Sequence, residues 1–78
     1  MDFGRPTKRS MTIAGHETSI SLEPMFWLAL EQAARNEGLP LNALVARIDA
    51  ERLETPAGIP NLTSALRQWL WLQAGKDG

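Results

Sequence analysis

Few side chains in this sequence could carry out catalysis, and they are poorly placed for it. Two pairs of carboxylates, Glu31 with Glu37 and Glu51 with Glu54, lie on polar faces of predicted helices rather than beside a predicted cleft. His16 is the single histidine and cysteine is absent, so a zinc site would need His16 from two subunits. No nucleophile elbow, glycine-rich phosphate loop or metal-ligand spacing occurs. We therefore expect no catalysis, no metal and no cofactor.

The charges that could bind an anion lie near the start of the chain. Arg5, Lys8 and Arg9 against one acid give the first ten residues a net charge of +2, whereas residues 17–54 hold seven acids and three bases, a net of −4. Residues 1–9 show no apolar periodicity, so we predict a flexible basic arm. Such an arm either solubilises the chain or contacts a polyanion. The acidic body favours nucleic-acid contact through Lys8 and Arg9.

A short strand is predicted over residues 18–22, before the helices. Apolar and polar side chains alternate, with Thr18, Ile20 and Leu22 on one face and Ser19 and Ser21 on the other. This alternation predicts a half-buried strand. Its backbone groups need a partner strand, from this chain or from another copy of it.

The phase of the alternation slips by one residue before this strand. Met11 and Ile13 are apolar at odd positions, whereas the strand over residues 18–22 uses even ones. A β-bulge near Gly15 would explain the slip, and so would a turn through residues 14–17 that folds the segment into a hairpin.

The strand passes directly into a helix. Pro24 has no N–H to give to a sheet, but its fixed φ suits the first turn of a helix. Gly38 can adopt the left-handed conformation that closes a helix, so we predict a helix from Pro24 to about Glu37. Its apolar face carries Phe26, Trp27, Leu30, Ala33 and Ala34.

Two further helices are predicted. Pro40 and Asn42 mark the start of the second, one side of which carries Leu41, Leu44, Val45, Ile48 and Arg52. A segment rich in proline and glycine follows, and Asn61 then suits the N-cap of a third helix over residues 61–73. One side of that helix carries Leu62, Ala65, Leu66, Trp69, Leu72 and Gln73. Trp71 lies opposite this side, so it either contacts a neighbouring subunit or stays exposed, and the small size of the chain favours the neighbouring subunit.

Length and composition limit the possible architectures. A chain of 78 residues forms one domain with a thin core, burying only about 60–65% of its unfolded surface. Disulfides are impossible without cysteine, so oligomerisation is the expected stabiliser. We place the domain at residues 10–75 and a frayed tail at 76–78. No signal peptide or run of about 18 apolar residues occurs, so we expect a soluble, cytoplasmic protein with no membrane partner.

The stretch TSISLEPMFWLALEQAARNEGLPLNALVARIDAERL, from Thr18 to Leu53, resembles the ribbon-helix-helix family of bacterial DNA-binding proteins. The longer string RSMTIAGHETSISLEPMFW, with the later NLTSALRQWL, is similar to a small bacterial subfamily of that fold. The resemblance implies a mainly α fold with a short β-ribbon: an intertwined homodimer to which each chain lends one strand, here with an additional C-terminal helix.

The resemblance also implies where such a protein touches DNA. Glu17, Ser19 and Ser21 would face base edges in the major groove. The start of the second helix, at Leu41 and Asn42, would hold a phosphate. The residues assigned to the core or the dimer interface are Thr18, Ile20, Leu22, Phe26, Trp27, Leu30, Leu44, Val45, Ile48, Trp69 and Trp71.

Two positions depart from the family pattern. Glu17 stands where a basic or amide residue is common, and a carboxylate repels phosphates. Pro40 replaces a small hydroxyl residue and removes donors from the phosphate site. We predict a sequence-specific DNA-binding transcriptional regulator, most simply a repressor, that binds itself and double-stranded DNA. The alternative is a homodimeric protein-interaction module, or an antitoxin, that binds a protein partner and has weak or no DNA binding.

Overall fold

Two strands precede three helices in residues 4–56, 58–59 and 61–77, which are the residues that the computed structural model describes. The elements in chain order are β1 (Thr7–Ile13), β2 (His16–Leu22), α1 (Pro24–Asn36), α2 (Leu41–Glu54) and α3 (Leu62–Asp77). Within that part of the chain, no helix has the length and apolar content needed to cross a bilayer.

The two strands form an antiparallel hairpin whose register runs from Thr7 opposite Leu22 to Ile13 opposite His16. The turn consists of Ala14 and Gly15, at φ values of +51° and +82°. Positive φ at both positions is the geometry of a tight two-residue hairpin turn, and glycine favours it. Of the two explanations for the phase slip, the hairpin is therefore the one observed. Each odd-numbered residue of β1 faces an even-numbered residue of β2.

Two expectations about the ribbon are corrected by this hairpin. The partner of β2 is β1 of the same chain, so this ribbon does not depend on a strand from another copy. The predicted arm is also too long, because Thr7, Lys8 and Arg9 belong to β1; residues 1–3 lie outside the described part of the chain. The sequence did not predict the start of this strand because the side chains there are polar. In the structure, backbone pairing with β2 and the hydrogen bond from Trp27 to the Thr7 carbonyl hold β1 in place. The homodimer stays a prediction.

Local signals set the ends of the helices. Gly38, at φ +67°, follows Glu37, the C-cap of α1. The backbone N–H of Leu39 donates to the Ala34 carbonyl at 2.9 Å, which is a common glycine-terminated helix end. At the start of α3, Asn61 Oδ1 accepts from the Ser64 N–H at 2.8 Å, an N-cap.

The C-terminal tail is more ordered than predicted. α3 continues to Asp77, so the expectation of fraying from residue 76 is corrected, and residue 78 lies outside the described residues. Gly75 within a helix costs only about 1 kcal/mol relative to alanine. Lys76 in the last turn interacts favourably with the C-terminal end of the helix dipole.

The core lies between the inner face of the ribbon and the three helices. The helices contact one another, β1 contacts α2 and β2 contacts α3. The buried apolar side chains are Ile13, Ile20, Leu22, Trp27, Leu30, Ala34, Leu44, Val45, Ile48, Ala65 and Leu66. Of the other residues assigned to the core or dimer, Thr18, Phe26 and Trp69 are half-buried, and Trp71 is 80% exposed.

Candidate nucleic-acid interface

The outer face of the ribbon is a continuous polar surface. Residues that oppose each other across an antiparallel pair project to the same side, and the three outward pairs are Lys8 with Ser21, Ser10 with Ser19, and Thr12 with Glu17. All six residues are exposed. The hydroxyl oxygens of Ser10 and Ser19 lie 3.5 Å apart. Four hydroxyl groups thus form the centre of the face, with an ammonium group at one end and a carboxylate at the other.

Ser10 and Thr12 are members of this face that sequence reasoning missed. Their signal was the alternation of Met11 and Ile13, which places their even-numbered neighbours on the opposite side of a strand. This alternation alone does not place Ser10 and Thr12 on the candidate interface. The hairpin register does, because it sets them directly opposite Ser19 and Glu17.

Hydrogen bonding is the chemistry available to this face. Each hydroxyl both donates and accepts hydrogen bonds, and no side chain on the face is apolar. The face therefore lacks the apolar core that a stable protein interface usually has. A two-stranded ribbon of this width fits the major groove of B-DNA, where base edges present donors and acceptors.

Arg9 is not on the outer face, although it follows Lys8 in sequence. Its guanidinium lies over the Trp27 ring, 4.6 Å from the centroid, and forms an ion pair with Glu31 at 2.9 Å. Trp27 also donates from Nε1 to the Thr7 carbonyl at 2.8 Å. The structure thus separates the two predicted basic contacts: Lys8 faces outward, whereas Arg9 fastens β1 to α1.

The start of α2 lies beside the ribbon. Asn42 Nδ2 donates to the Thr12 carbonyl at 3.4 Å, which places the first turn of α2 at the end of the ribbon that carries Glu17. The backbone N–H groups of Leu41 and Asn42 bond to no acceptor among the described residues. Free N–H groups at a helix N-terminus favour an anion. Pro40 gives this helix no side-chain cap.

Glu23 connects the base of the ribbon to α3. Its carboxylate accepts a hydrogen bond from Arg67 Nη2 at 3.0 Å. Hydrogen bonding to the backbone of Glu23, and then to the Arg67 guanidinium, holds the pKa of the Glu23 carboxyl below its usual value. The charged carboxylate is therefore the form that the fold favours.

Replacing Glu23 by glutamine should lower the free energy of unfolding near neutral pH and should have less effect in acid. Because folding lowers the pKa of Glu23, its contribution is complete above the unfolded-state pKa and disappears as the pH falls through the folded-state value. Urea unfolding of E23Q and wild type across this range measures the difference. Glu54→Gln is the control, since Glu54 has no ion pair within the described residues. Equal stabilities of E23Q and wild type at neutral pH would contradict the expectation.

The remaining candidate chemistry is sparse. Among the residues that the structure describes, no group of three histidine, aspartate or glutamate side chains is arranged to hold a metal ion, and no buried side-chain nitrogen or oxygen lacks a partner. His16 is exposed next to the hairpin turn.

Comparison with known proteins agrees with the architecture. The sequence model of a family described as a ribbon-helix-helix domain matches residues 6–74, which confirms the predicted family and the predicted fold of a short β-ribbon followed by helices. No curated protein and no solved structure matches the chain.

Proposed function

The chain belongs to the ribbon-helix-helix family, and on that basis we propose that it is a DNA-binding transcriptional regulator, a repressor of the bacterial cytoplasm. The outer face of the ribbon carries this proposal. Its four hydroxyl side chains lie in two adjacent strands and are exposed, as base readout in a groove requires.

Two features flank this face and can hold phosphates. Lys8 lies at one end of β1, whereas the N–H groups of Leu41 and Asn42 lie near Thr12 at the other end. Thr12 lies four residues along the strand from Lys8, a span of about 13 Å. The major groove is about 12 Å wide. The spacing therefore suits contact with the backbone at both ends of the inserted ribbon.

The hairpin changes how a homodimer would use its strands. Each chain holds a complete ribbon, so a dimer presents two ribbons with one Lys8 each. A two-fold dimer of this kind reads two equivalent half-sites, and its operator is palindromic. Arg9 is left out of the proposed interface because Glu31 and Trp27 engage it.

Titration of labelled duplexes at several salt concentrations tests the function. We expect selection from a random pool to enrich a palindrome, and the logarithm of the affinity to fall linearly with that of salt. Lys8→Ala should reduce the slope by about one for each chain. Lys76→Ala, which removes the same charge at the other end of the chain, should leave it unchanged. Weak binding that is insensitive to salt would contradict the proposal and favour the interaction module or antitoxin.

A further inference from the structure

A cavity lies between α2, α3 and the segment that joins them. Its volume is about 180 Å³, and a cavity of about 150 Å³ is enough to hold a benzene ring. Its apolar wall includes Ile48, Ile59 and Ala65. Glu51 and Gln68 also line it and are exposed, so the cavity opens to solvent. It is therefore large enough for one small molecule that enters from outside.

One of the two ionisable side chains of the cavity already has its partners. All three nitrogens of the Arg52 guanidinium contact an acceptor: Nε and Nη2 lie 2.8 Å from Asp49 Oδ1, and Nη1 donates to the Ile59 carbonyl at 3.4 Å. An anionic ligand would have to displace the Asp49 carboxylate from this pair. The cavity therefore gives an anion no free cation among the residues that the structure describes.

The other ionisable side chain, Glu51, is free to bind a cation. It forms no ion pair within the described residues. Glu51 belongs to the last turn of α2, which ends at Glu54, and the C-terminal end of a helix dipole also favours a positive charge. Because Arg52 and Asp49 neutralise each other, the Glu51 carboxylate sets the sign of the charge at this cavity.

Trp69 adds an aromatic ring to the same cavity. Indole is the aromatic group that attracts cations most strongly, and ammonium groups are commonly recognised by aromatic side chains. The amide oxygen of Gln68 can accept a hydrogen bond from an ammonium N–H. Leu72, which is 64% exposed, extends the apolar lining outward. The cavity thus combines an apolar wall, an indole and an unpaired carboxylate.

We propose that this cavity binds a small organic cation that carries an ammonium group on an aromatic or aliphatic body. The ammonium group lies between Glu51 and Trp69, and the body packs against the apolar wall. A neutral ligand would forgo the attraction of Glu51, whereas an anion would be repelled by it. The inference does not depend on DNA binding, because α2 separates the cavity from the ribbon by about 20 Å.

NMR titration of the full chain with three probes of similar shape tests the preference for positive charge. The probes are phenethylamine, which is protonated at neutral pH, the neutral phenethyl alcohol and the anionic phenylpropionate. We expect the ammonium to bind about tenfold more tightly than the alcohol, through the ring and the carboxylate together. Phenylpropionate should bind more weakly than the alcohol. Equal dissociation constants for the three probes would overturn the proposal, as would the absence of saturable binding of phenethylamine.

The same spectra locate the bound probe. The indole N–H signal of Trp69 should shift and saturate, whereas that of Trp71, which lines other grooves, should stay in place. The variant Trp71→Phe assigns the two signals by removing one of them. Shifts that occur at Trp71 and not at Trp69 would place the probe outside the cavity and overturn the proposal.

Glu51→Gln tests the carboxylate. It should raise the dissociation constant for phenethylamine about threefold or more and leave that for phenethyl alcohol nearly unchanged. Glu54→Gln is the matched control, because it removes the same charge from the same turn of α2 at an exposed residue that does not line the cavity. Both side chains are exposed, so both variants should keep the circular dichroism of wild type. An unchanged affinity of Glu51→Gln, or an equal loss in Glu54→Gln, would contradict the proposed contact. Duplex titrations measure DNA binding separately, so failure of one proposal is distinguishable from failure of the other.

Discussion

Trp27→Ala should lower the free energy of unfolding by about 3–5 kcal/mol, the loss typical of a buried aromatic residue. The Trp27 side chain is 2% exposed and joins three parts of the fold. Its ring packs in the core, its Nε1 donates to the Thr7 carbonyl at 2.8 Å, and Arg9 lies over its face at 4.6 Å. A domain of this size has a total stability of only about 5–15 kcal/mol, so the variant should be close to unfolding at room temperature.

Two further variants divide this loss into its parts. Trp27→Phe keeps much of the apolar volume but lacks the N–H, so it should lose about 1–2 kcal/mol through the unpaired Thr7 carbonyl and the smaller ring. Trp71→Phe, at the exposed tryptophan, should change the free energy of unfolding little. Urea titrations followed by circular dichroism measure all three variants. A Trp27→Ala midpoint equal to that of wild type would show that β1 is not held on α1 in this way.

The parts of the fold that local chemistry decides are visible in the sequence. Pro24 starts α1 because its ring fixes φ and lacks a donor, and Gly38 follows the end of α1 because it accepts a positive φ. The alternation of Ile20 and Leu22 locates β2 and its buried face. Each of these signals depends on one residue or on its near neighbours in sequence. They can therefore be recognised before the tertiary structure is known.

The parts that distant contacts decide are not visible. Lys8 and Arg9 look like an arm because polar side chains carry no apolar period, and only the hairpin register shows that they face opposite sides of β1. Trp27 lies 20 residues from the carbonyl that it binds. The hydroxyl groups of the outer face were therefore predicted on the β2 side alone, and those of Ser10 and Thr12 emerge from strand pairing.

Glu17→Lys should strengthen DNA binding about tenfold or more near 0.1 M salt and steepen the salt dependence, because each added phosphate contact changes the logarithmic slope by about 0.9. Glu17 is exposed opposite Thr12, at the end of the ribbon where α2 begins. Its carboxylate is the anionic group of the proposed interface. Glu17→Gln removes the repulsion without adding a cation, so its affinity should fall between those of wild type and the lysine variant.

Glu54→Lys makes the same change in charge at a distant point and isolates the effect of position. Glu54 ends α2, and a helix of 14 residues places it about 20 Å from the N-terminus that lies beside the ribbon. The Debye length is about 8–10 Å at these salt concentrations, so this variant should bind mixed-sequence duplexes almost as wild type does. Equal gains from Glu17→Lys and Glu54→Lys would show that net charge, rather than the ribbon, governs the binding. A gain confined to Glu17→Lys requires phosphates close to the outer face of the ribbon, as insertion into a groove brings them.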